Sequence, residues 1–149
     1  MPIDRTLIGK TGPEVVVDVE AGHIRRFAEA VGDDSPLYTD AAYAAKTPFR
    51  GPIAPPTFAT TFMAGSSALF ADVEGFELRR VLHGEQEYVY HRPVRPGQRL
   101  WVKTRVADVY DRVGRSGRMT FIVVETVARD IDGVPVVTGR STIVYRQEL

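Results

Sequence analysis

Two hydrophobic periods divide the chain. Between Ile24 and Val31, apolar residues recur at i, i+3, i+4 and i+7 (Ile24, Phe27, Ala28, Val31), with Arg25, Arg26 and Glu29 on the other side. This spacing predicts a short amphipathic helix ended by Gly32. The β-branched run from Glu14 to Glu20 predicts a short strand or extended lead-in. Asp33 to Tyr38 reads as a turn, and Asp40 to Lys46 as one or two capped helical turns. From Val81 the period becomes two, predicting strands over Val81–Arg92, Arg99–Tyr110, Arg118–Arg129 and Val134–Arg146. Turn chemistry separates them at Arg95-Pro96-Gly97, Gly114 to Gly117 and Asp130 to Gly133, and links this short require antiparallel neighbours. Met119 to Ala128 is largely apolar on both faces, as a central strand would be if one face met a helix and the other a second subunit.

Between the two regions, Gly51 to Ala71 contains no charged residue. After Pro52, Pro55 and Pro56 it leaves about 15 helix-compatible residues, or ~22 Å, too short for a bilayer core of about 30 Å. Pro56 suits a first helical turn, so a helix is predicted from there to about Phe70, surrounded by protein because no side of it is charged. An antiparallel meander can hide such a helix only by curling around it and leaving the last side to a neighbour. The predicted fold class is therefore α+β, a single hot-dog domain over residues 1–149: a curled antiparallel sheet around a central helix. The open side predicts a dimer, a double hot dog with one sheet continuous across both subunits.

Composition narrows the chemistry. The 149 residues fit one domain, and no cysteine is present, which removes disulfides, thiolate nucleophiles and sulfur-based zinc sites. Nineteen basic residues balance nineteen acidic ones, leaving no global field for a nucleic acid or an anionic membrane. The first residues show no basic stretch leading into an apolar one, so no signal peptide is read and a cytoplasmic location is expected.

Three separated runs carry a resemblance over about Leu7 to Arg146: Arg26 to Asp40 (RFAEAVGDDSPLYTD), Phe49 to Phe58 (FRGPIAPPTF), and His83 to Tyr88 (HGEQEY) followed by His91 to Gly97 (HRPVRPG). Together they resemble the MaoC-like hydratases and dehydratases. The resemblance is to their N-terminal-type branch, similar to the dehydratase region of type I fatty acid synthases and including substrate-binding subunits of mycobacterial hydroxyacyl dehydratases. It implies (R)-specific hydration of a trans-2-enoyl thioester, or the reverse dehydration, on coenzyme A or acyl carrier protein. No cofactor or metal is implied beyond that thioester carrier.

Catalytic members use Gly-Asp-x-Asn-Pro-x-His, whose Asp and His hold a water and move its proton. The matching positions are Gly32 to Tyr38: Asp33 is kept, Ser35 replaces the asparagine and Tyr38 the histidine. A histidine with pKa near about 6.5 can both accept and donate at neutral pH, whereas a phenol near about 10 is a poor base. The members' Ile-Ala-His-Gly segment, whose glycine N–H steadies the thioester oxygen, is Ile53-Ala54-Pro55-Pro56 here, and proline has no N–H to give. The implied role is the acyl-binding half of a hydratase, as a homodimer or as a heterodimer with a subunit carrying the intact Asp/His pair.

The remaining candidates have plainer readings beside the functional ones. Asp33 and Asp34 also suit a turn after a helix, and Tyr38 also suits packing and hydrogen bonding. His83 and Glu85, two apart on one predicted strand, fall on one face and offer a substitute acid–base pair, or else are cross-strand partners. His23 is expected to be solvated and His91 structural. Arg92, Arg95 and Arg99 form a basic edge that suits coenzyme phosphates or simply solvent. Ser35, Ile53, Ala54, Pro56, Thr57, Phe58, Phe62, Arg92 and Arg95 are the expected substrate-binding set, with Phe58, Phe62, Met63, Leu69 and Phe70 either core or the lining of an acyl tunnel. Two enzymatic alternatives stand: a self-sufficient enoyl-CoA hydratase using His83/Glu85 or Asp33, and a hot-dog thioesterase. The second is disfavoured by the absence of Asp or Glu between Gly51 and Ala71.

Overall fold

The computed structural model describes residues 3–63, 66–115 and 117–146. Five antiparallel strands, β1 (Val15–Asp18), β2 (Val81–Tyr90), β3 (Arg99–Gly114), β4 (Gly117–Arg129) and β5 (Pro135–Arg146), form one sheet in the order β1-β3-β4-β5-β2. β3, β4 and β5 follow one another as hairpins across the predicted turns. Gly133, with φ 77°, closes the β4–β5 turn while the Asp130 carboxylate accepts from the backbone N–H groups of Asp132 and Val134. β2 lies at the far edge against β5, so β4 is the middle strand, flanked by β3 and β5, and the prediction of a central strand over Met119 to Ala128 agrees with it.

Alternation assigns the faces. Leu100, Val102, Thr104 and Val106 of β3, Ile122, Val124, Thr126 and Ala128 of β4, and Val137 and Ile143 of β5 point inward and are buried, except that the bulge at Ala107 resets β3 so that Val109 faces in again. They form two apolar clusters on the concave side. One holds Ile24, Ala54, Phe58, Leu100 and Ala128, and the other Leu69, Phe70, Val106, Ile122 and Ile143. The uncharged segment contributes to both clusters and so lies across the concave face. Between them, the Thr104 and Thr126 hydroxyls satisfy each other at 2.9 Å.

The helical region carries α1 (Ala21–Val31), α2 (Pro36–Thr39) and α3 (Ala41–Ala45) before the uncharged segment, and α4 (Thr60–Met63) and α5 (Ser66–Leu69) within it. Helix α1 buries Ile24 and Ala28 and ends at Gly32, which adopts φ 71°, so the amphipathic prediction holds. The predicted turn at Asp33 to Tyr38 instead contains one helical turn, capped by Ser35 and opened by Pro36.

The expected helix from Pro56 to Phe70 differs in two ways. Its head, Pro56 to Ala59, is a run of turns rather than α-helix. The Pro56 carbonyl, which would accept the Thr60 N–H in an α-helix, accepts the Tyr90 hydroxyl instead. Thr60 therefore turns back to the Thr57 carbonyl at 3.0 Å, and Phe58, Thr61 and Phe62 likewise bond three residues back. Burial is also one-sided. Phe58, Ala59, Leu69 and Phe70 are buried, whereas Thr57, Thr60, Thr61 and Ala68 are exposed. In the single chain the rod is covered by the sheet on one side and wet on the other. Among the described residues, no helix is long and apolar enough to cross a membrane.

Candidate active site

The turn after α1 builds the first half of the site. The Asp33 N–H returns to the Ala28 carbonyl at 2.9 Å, which fixes the residue immediately after the helix end. Its half-buried carboxylate accepts the Tyr38 hydroxyl at 3.1 Å through Oδ2 and the Ser35 N–H at 3.4 Å through Oδ1. Ser35 Oγ in turn accepts the Leu37 N–H. Burial, and then the neighbouring Asp33 carboxylate, push the Tyr38 phenol above its ordinary value. The Tyr38 phenol thus stays protonated at neutral pH as a fixed donor to the Asp33 carboxylate, and cannot serve there as a base. The Ile53 N–H bonds to the Leu37 carbonyl at 3.4 Å, and Tyr38 packs on the core cluster holding Ala54 and Phe58. Tyr38 therefore links Asp33 to the head of the uncharged segment, and Asp33, Asp34 and Ser35 together line an open groove with Arg25 and Glu29.

That head is held from three sides. The Ala54 N–H bonds to the Val94 carbonyl at 2.7 Å, Tyr90 donates to the Pro56 carbonyl, and the Thr60 and Tyr88 hydroxyls lie 2.6 Å apart. Burial pushes the Tyr90 phenol up to about 12. Neither tyrosine stood out in the sequence; their spacing of two on an alternating strand was the available signal, since it places both rings on the concave side. Pro56 presents no N–H, and Thr57 beside it is exposed.

A bulge corrects the expected pairing of His83 with Glu85. The register runs His83 opposite Ile143 and Glu85 opposite Thr142, so Gly84 is the extra residue and the two side chains emerge on opposite faces. A Cβ on Gly84 would lie 3.1 Å from both the Thr142 carbonyl and Val144 Cγ2, so the position suits only glycine without rearrangement. His83 turns inward, its Nε2 2.9 Å from the Glu85 carbonyl, whereas the Glu85 carboxylate accepts from Thr142 on the convex side. With Thr60, Gln86, Tyr88, Thr126 and Ile143, His83 lines a cavity of about 250 Å³ between the uncharged segment and the sheet. Ligand sites that enclose a whole small molecule begin near 300 Å³, so this one suits a part of a ligand rather than all of it.

The other candidates are placed elsewhere. Phe58 and Phe62 do not face that cavity but border a groove beside β1 with Val17, Thr61 and His23. Phe58 is packed edge-on by His23, Phe27 and Phe62, with centroids 5.1, 5.5 and 6.1 Å away, so His23 is half-buried against an aromatic ring and not solvated as expected. Leu69 and Phe70 are core; the Met63 side chain lies outside the described residues. Arg95 donates to the carbonyls of Phe49, Gly51 and Pro52, clamping the loop before the rod. Arg92 pairs with Asp130 at 2.7 Å, and Arg99 forks onto Asp18 at 2.6 and 2.9 Å. The predicted basic edge is thus engaged by protein groups. His91 lies 3.0 Å from the Thr138 hydroxyl, in keeping with its structural reading.

A curled five-stranded antiparallel sheet with an uncharged segment across its concave face is a hot-dog fold, here of the MaoC-like hydratase and dehydratase class. The chain belongs to the family described as the FAS1-like dehydratase domain region, whose model matches residues 6–139. It is 38% identical over 149 residues to the UPF0336 protein of Saccharopolyspora erythraea, covering 98% of this chain and 93% of that one. Among solved structures it is similar to the C-terminally truncated HadBC (3R-hydroxyacyl-ACP dehydratase) complex of Mycobacterium tuberculosis, with TM-score 0.78, 24% identity and coverage of 93% and 96% of the two chains. It is also similar to the R-hydratase PhaJ1 of Pseudomonas aeruginosa, with TM-score 0.69, 24% identity and coverage of 95% and 83%.

Proposed function

We propose that this chain is the acyl-binding half of a hydratase/dehydratase of enoyl and 3-hydroxyacyl thioesters, paired with a related hot-dog subunit that carries the proton-transfer groups. The observation that carries the reading is the bond from Tyr38 to Asp33. Hydration needs a group that takes a proton from water and returns one to the α-carbon near neutral pH. At the position where the family resemblance implies histidine, a phenol, protonated at neutral pH and pushed further up by burial, occupies the carboxylate that would otherwise orient the water. Pro56 adds a second deficit at the thioester oxygen, having no N–H to offer growing enolate charge. The cavity lined by Thr60, His83 and Tyr88 remains, and its size suits acyl carbons rather than a whole thioester. The HadBC relative is a complex of two chains, which supports a divided dehydratase.

The test is turnover of a short and a long enoyl-CoA, followed by loss of the conjugated thioester absorbance. The isolated chain should show no enzyme-like rate and should gain one only with a hot-dog partner bearing the intact Asp-x-Asn-Pro-x-His pattern. Hydration by the chain alone would overturn the reading and make His83 and Asp33 the first residues to substitute. Release of free thiol would establish a thioesterase instead.

A further inference from the structure

Alternation gives β4 two apolar faces, and the fold of the single chain covers only one of them. Phe121, Val123 and Val127 point to the convex side, opposite Ile122, Val124 and Ala128. A sheet face left to water ordinarily carries polar residues, so the second cover expected for this strand has to come from outside the chain. At the level of Phe121 the register sets Tyr110 of β3, Phe121 of β4, Val144 of β5 and Leu82 of β2 in one apolar line. Leu82 is exposed and the other three are half-buried. The Tyr110 and Phe121 rings stack at 5.1 Å, with the Arg112 guanidinium carbon 5.5 and 6.0 Å from their centroids.

Four residues further along β4, the same strands carry charges of alternating sign. Arg105 of β3 faces Glu125 of β4 and bonds to it at 2.9 Å; Glu125 faces Arg140 of β5, and Arg140 faces Glu87 of β2. Such a line is its own complement. Let two copies stack convex face on convex face with strands aligned, about a two-fold axis that runs along the strands between β4 and β5. Every level is then kept, β4 lies over β5 of the second copy, and β3 lies over its β2. Glu125 meets Arg140 and Arg105 meets Glu87, each twice by symmetry, while Phe121 meets Val144 and Tyr110 meets Leu82. One pairing is unfavourable: Asp108 meets Glu85, at the rim, where twist and convex curvature carry the outer strands apart.

Other axes use the face less fully. Placed between β3 and β4, or between β5 and β2, the axis still matches opposite signs but overlaps fewer strands. An axis across the strands stacks each strand on itself, and β5 contains no acidic residue to face Arg140. Size is adequate as well. Four strands about 4.8 Å apart, over the five levels from Met119 to Val127, give each copy a face of roughly 650 Å², and a specific interface needs roughly 1,000 Å² from both partners together.

We propose that the convex face binds a second copy of this chain, sheet on sheet, with Glu125 against Arg140 and Phe121 against Val144. The contact leaves both edges of the sheet free and does not depend on the proposed activity. Because the chain has no cysteine, Lys103→Cys carries a single spin label per copy at an exposed position of β3. With strands about 4.8 Å and stacked sheets about 10 Å apart, labels on stacked copies lie about 18 Å from each other. Pairing edge to edge along β2 sets them about 34 Å apart, and an axis across the strands at Phe121 about 40 Å. Electron spin resonance of the labelled chain should show the short distance. An excess of unlabelled chain should dilute it away, whereas an excess of the inverted copy Arg105→Glu/Glu125→Arg/Arg140→Glu/Glu87→Arg should leave it in place, because mixed stacks oppose like charges. Arg140→Glu alone, should the fourfold variant not fold, is expected to weaken the short-distance association at least tenfold. Absence of the short distance, dilution by the inverted copy as effective as by the unlabelled chain, or unchanged association in Arg140→Glu overturns the proposal.

Discussion

Tyr38 and Gly84 show how single residues set the chemistry available to this chain. The phenol of Tyr38 contributes one hydrogen bond to a half-buried carboxylate, typically worth about 0.5–1.5 kcal/mol. Tyr38→Phe should therefore lower stability by roughly 1 kcal/mol in a urea titration. If the proposed division of labour holds, with no proton routed through the phenol, the same substitution should leave turnover of the proposed two-subunit complex within about threefold. On the proposed reading, Tyr38→His and Pro56→Gly each supply only one of two absent groups, so neither alone should confer hydratase activity on the isolated chain. Gly84→Ala places a Cβ 3.1 Å from a backbone carbonyl and a valine methyl. An overpacking cost of about 1–3 kcal/mol should appear as a lowered melting temperature. The Gly-Asp-x-x-Pro spacing was readable because each of its parts is local. The opposite facing of His83 and Glu85 was not, since a bulge is defined by the partner strand's register and Gly84 alone does not announce it.

The element that most departs from its sequence prediction is the uncharged rod, and the departure traces to a partner on β2. The sequence places the first helical turn at Pro56, but the helix starts only at Thr60: the Pro56 carbonyl is taken by Tyr90 from 34 positions away, and the turns before Thr60 bond three residues back. Tyr90→Phe should cost about 1 kcal/mol through that bond. It should also remove part of the alkaline instability. The Tyr90 phenol titrates near 10 when unfolded but is pushed up to about 12 in the fold, so its stabilisation is fully present below pH 10 and is lost as pH rises toward 12. Unfolding midpoints measured across that range should fall less steeply in the variant than in the wild type. Strand prediction fared better than rod prediction for a physical reason. In the meander, alternation, turn residues and antiparallel pairing agree with one another, whereas the rod's local signal is overridden by a long-range acceptor.

At the scale of the molecule, the sheet ties its distant parts together with ion pairs on its surface. Arg99 holds the Asp18 carboxyl below its usual range, Arg118 with Thr120 does so for Asp111, and Arg92 does so for Asp130. Each contributes stability that is present above the ordinary carboxylate value of 3.8 and disappears as pH falls below it. Stability should hold from neutrality to about pH 5 and then decline, and because all three pairs are exposed to solvent, about 1 M salt should blunt the decline. Acid titrations at low and high salt measure both effects. The same exposure explains why Arg92, Arg95 and Arg99 looked free in the sequence: their partners Asp130, the loop carbonyls and Asp18 lie up to 81 positions away.

What could be read from the amino-acid order is whatever depends on neighbours within a few positions: the two periods, the turns, the helix cap at Gly32, and the three separated runs that carry the family resemblance. What the tertiary structure alone decided is which groups meet. It placed Tyr38 on Asp33, gave the Pro56 carbonyl to Tyr90, sent His83 inward and Glu85 outward, and aligned Arg105, Glu125, Arg140 and Glu87 across four strands. Hydrophobic pattern selects a fold because it acts through averages over many residues. Register and hydrogen-bond partnership rest on single contacts between distant positions, and these exist only once the sheet has closed.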